Sequence, residues 1–197
     1  KKNNQHGRVD LYVIKTDIKN YANAVPMHEN SPLWESIIKL LKHIDNKNPI
    51  CDYLFKLIQD SVNPAYINQE GILSQDEQGL PYGTPICSLI YNLYIYELDH
   101  QLNTIPSLFY MRYCDDMILI HTEEAKALAA YKRLSDELKQ KSLSINEEKS
   151  QLIYLTIPGK PSPNQSSFIG SNKIDFLGFS VQANGSIRIK KRHTKAF

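Results

Sequence analysis

The sequence predicts an α+β fold of the ferredoxin-like, split βαβ kind, an antiparallel sheet with helices packed on one face. Three observations carry that expectation. A strand-like run, Val9-Asp10-Leu11-Tyr12-Val13-Ile14-Lys15-Thr16, is followed by a block of helical patterns instead of a hairpin partner. Two apolar runs, Tyr110-Met111-Arg112-Tyr113 and Met117-Ile118-Leu119-Ile120, bracket Cys114-Asp115-Asp116 and read as a β-hairpin with those three residues at its turn. An amphipathic helix and a further short strand come next, so the order is strand, helices, hairpin, helix, strand. In that frame the end of the first strand and the hairpin tip lie side by side, which brings Asp17 toward Asp115 and Asp116.

Each element has its own local reason. Ser31-Pro32 offers a helix cap followed by proline at the first helical position, and Leu33, Ile37, Leu40, Leu41 and Ile44 supply an apolar face. Asn48-Pro49 repeats the start signal for a helix carrying Tyr53, Leu54, Leu57 and Ile58. From Ser61 to Gly83 the chain is polar and turn-rich. Thr84-Pro85 opens a long helix through Asn103, apolar on most sides (Ile86, Leu89, Ile90, Leu93, Tyr94, Ile95, Leu98), which predicts a central position. After the hairpin, Thr122-Glu123-Glu124 starts a helix with Ala127, Leu128, Tyr131, Leu134 and Leu138 on its buried side. Short strands are expected around Ser142–Ile145, Gln151–Leu155, Ile174–Ser180 and Ser186–Lys190. Residues 156–173, rich in Pro, Ser, Gly and Asn between Ile157 and Asn172, are expected to be a flexible loop or insertion.

With 197 residues, 42% of them hydrophobic, the chain can bury one sizeable core, or a core plus an appendage. A net charge of +2 does not identify a nucleic-acid binder. The basic run Arg188-Ile189-Lys190-Lys191-Arg192-His193-Thr194-Lys195 suits phosphate contacts, and equally a solvated tail. Cys51, Cys87 and Cys114 are odd in number and form no CxxC, which argues for a reducing compartment and against a disulfide framework or a zinc site. No apolar run is long enough to span a bilayer and no signal peptide is visible, so a cytoplasmic location without membrane partners is expected.

The adjacent aspartates set the chemical problem. Unit charges ~4 Å apart repel by roughly 4 kcal/mol at an effective dielectric of about 20, so the pair needs a cation, a shared proton or water. A bare Asp-Asp is more often an exposed turn, and a single Asp after a strand is more often structural. Three carboxylates together change that balance. They form a hard, all-oxygen site suited to Mg²⁺ or Mn²⁺, and two such ions roughly 3.5–4 Å apart clamp both oxygens of an in-line phosphoryl transfer.

Tyr113-Cys114-Asp115-Asp116, preceded by Arg112, resembles the (F/Y)xDD motif of reverse transcriptases. Asp17-Ile18-Lys19-Asn20-Tyr21 is similar to that family's first metal-binding motif, DIxx(F/Y). Gln78-Gly79-Leu80-Pro81-Tyr82-Gly83-Thr84-Pro85, running into Asn92-Leu93-Tyr94 and Glu97-Leu98-Asp99, resembles the motif that shapes the nucleotide and template pocket. Leu143-Ser144-Ile145-Asn146-Glu147-Glu148-Lys149-Ser150 looks like the motif after it, and Phe176-Leu177-Gly178-Phe179 like the primer-grip hairpin. These motifs stand in the family's order and cover most of the chain. Phe-Leu-Gly-Phe followed by Ile187-Arg188-Ile189-Lys190-Lys191-Arg192 most resembles the bacterial branch that contains group II intron, diversity-generating and defence-associated enzymes.

The resemblance implies a polymerase palm domain over residues 1–197, with two Mg²⁺ (or Mn²⁺) held by Asp17, Asp115, Asp116 and the carbonyl of Ile18. It implies triphosphate contacts from the backbone near Asn20 and Tyr21, with Ala22, Tyr82 and Gly83 lining the nucleotide pocket. Lys149 would protonate the leaving pyrophosphate or contact phosphate, although a solvated lysine explains it as well. Phe176, Leu177, Gly178 and Phe179 would position the primer end. The implied partners are an RNA template, a DNA or RNA primer and nucleoside triphosphates.

Departures from the pattern matter. Five residues after the first metal-binding Asp, the family places an aromatic ring that excludes the ribose 2′-OH; here that position is Ala22, with Tyr21 one residue earlier. Tyr82 stands where Gln is usual, and Cys87 and Ser88 replace a Ser-Pro pair. Of the fingers only Lys1, Lys2 and Arg8 remain, and the thumb is missing, so the chain is expected to be part of a longer polymerase, weak or inactive alone. The leading expectation is an RNA-directed DNA polymerase. Two alternatives stay open: a template-independent or ribonucleotide-using polymerase of a phage-defence system, and a non-catalytic nucleic-acid-binding scaffold with the same fold.

Overall fold

A computed structural model describes residues 10–44, 49–81, 85–156 and 166–190. The expectations on Lys1, Lys2, Arg8, Asn48, Tyr82, Gly83, Thr84, Ile157 to Gln165 and Lys191 to Lys195 therefore fall outside the described residues. In chain order the elements are β1 (Leu11–Asp17), α1 (Tyr21–Ala24), α2 (Pro32–Ile44), α3 (Ile50–Val62), β2 (Tyr66–Ile67), β3 (Leu73–Ser74), α4 (Pro85–Tyr94), α5 (Tyr96–Asn103), β4 (Phe109–Tyr113), β5 (Asp116–His121), α6 (Glu124–Gln140), β6 (Gln151–Leu155), β7 (Ile169–Ser171), β8 (Lys173–Phe176), β9 (Phe179–Gln182) and β10 (Ile187–Ile189).

They form two units. The first comprises Lys1–Asp17, Leu102–Arg133 and Asn146–Phe197. Its main sheet has the order β4-β5-β1-β6-β7, with β1 antiparallel to both β5 and β6 and only β7 parallel to its neighbour. Strand β1 sits centrally, and Val13 and Ile14, on opposite faces, are both fully buried. Val13, Ile118 and Leu155 form one core with Ile174 and Phe176, from the β10-β9-β8 sheet. Across the sheet, Tyr12 stacks against Tyr154 and edge-on against Phe168, with ring centroids 5.3 and 5.1 Å apart.

Two expectations change in this unit. The run Ile174–Ser180, expected as one strand, is two: Phe176 pairs with Phe179 across a turn in which Leu177 (φ 47°) and Gly178 (φ 83°) are both left-handed. A two-residue turn of this twist joins antiparallel strands closely, and Gly adopts it without a Cβ penalty. The stretch 156–173, expected as a loop, contains Phe168, buried, and strand β7, whose Ile169 pairs with Ile153.

The second unit comprises Ile18–Gln101 and Leu134–Ile145. Helix α2 begins at Pro32 as expected, but the buried Ser31 Oγ has no hydrogen-bond partner among the described residues. Helix α2 packs on α3 and α4, and the Trp34 indole donates to the Met27 carbonyl while meeting the Phe55 ring edge-on. The helix expected from Pro85 to Asn103 is divided at Ile95, and it is not buried all round: Leu89 and Tyr96 are exposed while Ile90, Tyr94, Ile95 and Leu98 are buried. Within the polar stretch after α3, the Asn68 side chain accepts the Glu70 and Ile72 amides and closes a small β2–β3 hairpin.

Ser142–Ile145 is not a strand. The Leu143 amide donates to the Leu138 carbonyl and the Ser142 amide to that of Lys139, with Ser142 left-handed at φ 56°. This is a Schellman closure of α6, and it commits those amides to the helix end. Only an isolated bridge, Ile18 to Ile145, remains of the expected pairing.

At the β4–β5 turn Cys114 is left-handed, φ 55°. A β-branched residue tolerates that region poorly, so Cys114→Val is expected to lower stability by about 1–2 kcal/mol, read by urea unfolding, whereas Cys114→Gly should not destabilise.

Candidate active site

Strand pairing assembles the acidic end of the first unit. In the β1–β5 register Asp17 is the direct partner of Asp116, and in the β4–β5 register Asp116 faces Tyr113. Side chains alternate, so Asp17, Asp116 and Lys15 share one sheet face. Asp115 occupies the turn, and the Arg112 guanidinium donates to the Cys114 carbonyl at 3.1 Å across it. Asp116 is the first residue of β5 and not part of the turn, as had been expected, because pairing begins with it.

Lys149 reaches the same place from the segment before β6. Its ammonium lies 3.1 Å from Asp17 Oδ2. The Asn146 amide donates to the Asp17 carbonyl, and the Asn146 carbonyl accepts the Lys149 and Ser150 amides. Ser150 Oγ also donates to that carbonyl, lies 2.7 Å from Thr16 Oγ1 and accepts from the Tyr131 hydroxyl. Thr16 and Tyr131 thus help to hold the turn that carries Lys149. Sequence reading missed this role, since no local pattern links residues so far apart in the chain.

The electrostatics follow from the geometry. Asp116 is pushed above the usual aspartate range, first by burial and then by the charge of Asp115, with a smaller push from Asp17 opposed by Lys15 and Lys149. The Lys149 ammonium is held above its ordinary value, chiefly by its hydrogen bond to Asp17. Asp17 is only 7% exposed, and its Oδ1 has no hydrogen-bond partner among the described residues.

The expected convergence of three carboxylates is only partly met. Among the described residues, no three His, Cys, Asp or Glu side chains stand close enough to hold a metal ion as they are. Like charges repel, and Lys149 takes up one oxygen of Asp17. The residues nevertheless fit a hard cation: every donor is an oxygen, one buried carboxylate oxygen has no hydrogen-bond partner among the described residues, and a neighbouring carboxylate resists ionisation.

The described candidate nucleotide-binding residues, Asn20, Tyr21 and Ala22, lie in the second unit. Asn20 is left-handed (φ 48°), and its carbonyl accepts the Asn23 and Ala24 amides. Tyr21 is buried; its hydroxyl donates to the Tyr91 carbonyl at 2.6 Å and its ring stacks on Tyr91. Ala22 is half-buried, and its carbonyl accepts the Leu80 amide. With Gly79 donating to Val25 and Met27 donating to Glu77, three backbone hydrogen bonds join the segment after Tyr21 to the Glu77-Gln78-Gly79-Leu80 stretch. Gly79 supplies the left-handed backbone (φ 89°) that this approach uses, a conformation that side-chain-bearing residues adopt only with strain. Ile18, also in this unit, is buried.

In the first unit, Phe176 is buried in the core while Leu177 and Phe179 are exposed at the hairpin. Lys190, expected among free basic groups, is ion-paired with Asp175 at 3.0 Å. Among the described residues no helix is long and apolar enough to cross a membrane.

Comparison with known proteins agrees with this arrangement. Residues 1–181 match the family model described as reverse transcriptase (RNA-dependent DNA polymerase). No curated protein matches. Among solved structures, apo telomerase from Candida tropicalis truncated from its C-terminal domain superposes with TM-score 0.67 at 20% identity, covering 92% of this chain and 36% of that one. Apo telomerase from Candida tropicalis gives TM-score 0.68 at 18% identity over 95% of this chain and 34% of the other. Telomerase from Candida albicans with a TWJ fragment of telomeric RNA gives 0.68 at 14% identity, over 92% and 30%. The chain thus spans about a third of these proteins, and the likeness shows the fold, an α+β polymerase palm.

Proposed function

Because the chain belongs to the reverse transcriptase (RNA-dependent DNA polymerase) family, we propose that it is the catalytic palm of an RNA-directed DNA polymerase, in which Asp17, Asp115 and Asp116 bind two Mg²⁺ ions. The observation that supports this most is the direct pairing of Asp17 with Asp116, with one buried Asp17 oxygen left without a partner among the described residues. When bound, the two cations supply Lewis acidity at the α-phosphate and neutralise charge on the leaving group.

The chain's own groups account for the rest. The primer 3′-hydroxyl gives up its proton to solvent as its oxygen attacks the α-phosphorus of a nucleoside triphosphate, the bond from that phosphorus to the oxygen bridging to the β-phosphate breaks, and pyrophosphate leaves. Lys149 stays protonated well above neutral pH, so it can give the departing pyrophosphate a proton or hold it by charge. Asn20 and the segment after it offer backbone groups to the triphosphate, and Leu177 and Phe179 offer an exposed apolar hairpin tip to the primer end. An RNA template would be recognised by backbone, A-form shape and 2′-OH contacts. The fingers and thumb of the same polypeptide would complete the grip. The Phe-Leu-Gly-Phe hairpin and the basic residues after it support a place in the bacterial group II intron, diversity-generating and defence-associated branch, and with it a bacterial cytoplasmic location.

One observation favours a second reading, ribonucleotide-using or template-independent synthesis. The Tyr21 ring is committed to Tyr91, and Ala22 brings no ring of its own to exclude a 2′-hydroxyl. Without such a ring, preference for dNTP over rNTP should stay within about a hundredfold. Single-nucleotide primer extension by the full-length polypeptide, with and without template, tests both readings. Template-dependent addition supports the polymerase palm. Selection of dNTP by more than about ten-thousandfold removes the ribonucleotide reading.

A further inference from the structure

The sheet face that carries the acids also carries one lysine without an assigned role. In the β1–β5 and β1–β6 registers Asp17 stands beside Asp116, Lys15 beside Ile118 and Gln151, and Val13 beside Ile120 and Ile153. Lys15 is two residues from Asp17, about 7 Å along the strand at a rise of roughly 3.3 Å per residue. On its other side the face is covered, since Val13, Ile118 and Leu155 form one core with Ile174 and Phe176 of β8. Lys15 therefore lies between the acidic centre and the root of the Phe176–Phe179 hairpin. Of the residues that β4, β5, β1 and β6 place on this face, Lys15 alone is basic. It is half-buried, and its ammonium has no ion-pair or hydrogen-bond partner among the described residues; Asp17 pairs with Lys149 instead. An unpaired cation in a floor otherwise apolar and acidic marks a place for an anion.

We propose that Lys15 binds a backbone phosphate of the primer, at one of the two linkages nearest its 3′ end, and so positions the 3′-hydroxyl at the acidic centre. This rests on the palm reading above. A strand whose 3′ end meets Asp17 and Asp116, and whose body leads toward the hairpin, passes over Lys15. The phosphates nearest that end then come within reach of its ammonium. The incoming triphosphate is a poorer match, because Lys149 already stands at Asp17 to meet its leaving end. Lysine meets phosphate as a point charge and reads no base, which suits a primer of any sequence.

Altering both partners of the contact tests it. Binding of the full-length polypeptide to a DNA primer on an RNA template is measured at fixed Mg²⁺ over a range of KCl. Primers are either normal or carry one uncharged methylphosphonate linkage. Lys15→Met should weaken binding about tenfold and flatten the slope of log K against log salt by about 0.7–0.9, while Lys15→Arg stays near wild type in both. One methylphosphonate, at the last or second-last linkage, should weaken wild type to the same extent and leave Lys15→Met unaffected. Farther back, it should weaken both proteins alike. Lys15→Arg keeps the charge and the methylphosphonates act on wild type, so the test decides even if Lys15→Met disturbs folding. Losses that add independently at every linkage overturn the proposal. So does a Lys15→Met variant that raises the KM for nucleotide with primer binding unchanged. Where the polypeptide still extends primers, such a result removes Lys15 alone; if it binds no primer–template at all, the palm reading falls and this contact with it.

Discussion

Asp116→Asn is expected to lower primer extension by the full-length polypeptide about a thousandfold or more, with the fold intact. Removing a single preorganised electrostatic group from a reacting centre typically costs about 10²–10³ in rate, and here a metal-binding charge goes with it. In the metal-free protein the same substitution should raise the melting temperature at neutral pH. The sign follows from the raised Asp116 pKa. The folded state holds its proton more tightly than the unfolded state, whose value is near 3.8, so wild type loses stability as pH rises through that window. The amide that replaces the carboxyl does not titrate, so the variant's advantage should grow across the window, persist at neutral pH and vanish below about 3.8. Saturating Mg²⁺ should erase or reverse that advantage. Thermal melts in chelator and in Mg²⁺, across pH, check this; an unchanged rate with an unchanged melt would remove Asp116 from the site.

Phe176→Ala is expected to destabilise the protein by about 3–5 kcal/mol, the range for removing a buried aromatic side chain. Phe176 is only 9% exposed and packs with Val13, Ile118, Leu155 and Ile174. Against a typical total of roughly 5–15 kcal/mol, that is a large share. Phe179, its cross-strand partner, is 48% exposed, so Phe179→Ala should cost less than about 1 kcal/mol. Denaturant unfolding of both variants separates them. Equal losses would contradict a hairpin in which Phe176 is buried in the core while its cross-strand partner Phe179, on the same face, stays half exposed. If the exposed hairpin tip also serves the primer, Phe179→Ala should weaken primer binding with only that small loss of stability.

Local chemistry made much of the fold legible. Pro32 and Pro85 each begin a helix where the sequence indicated, because proline's fixed φ and missing amide suit a first turn. The apolar runs around Asp115-Asp116 form β4 and β5, and Gln151–Leu155 is β6 without adjustment. What local reading mistook was settled by distant partners or by helix ends. Ser142 and Leu143 cap α6 instead of extending a sheet, and Ile169–Ser171 forms a strand only because β6 is there to pair with. Ile174–Ser180 reads locally as one strand, but it breaks at Leu177-Gly178, both at positive φ, in the hairpin that the family resemblance implied there.

The candidate site divides in the same way. Asp17, Asp115 and Asp116 could be named from the sequence, since a strand ending in Asp and a hairpin tipped with Asp-Asp are local patterns with one topological link between them. Their pairing in register, the contact of Lys149 with Asp17 and the support of its turn by Thr16, Ser150 and Tyr131 come only from tertiary structure. The same holds for Tyr21, whose ring is committed to Tyr91 seventy residues away. By itself the sequence determined the element order, the residue types of the acidic centre and the family they resemble, because these are written in neighbouring residues. Tertiary structure alone decided which atoms face each other: strand register, burial and long-range hydrogen bonds depend on chain segments that meet only when the protein folds.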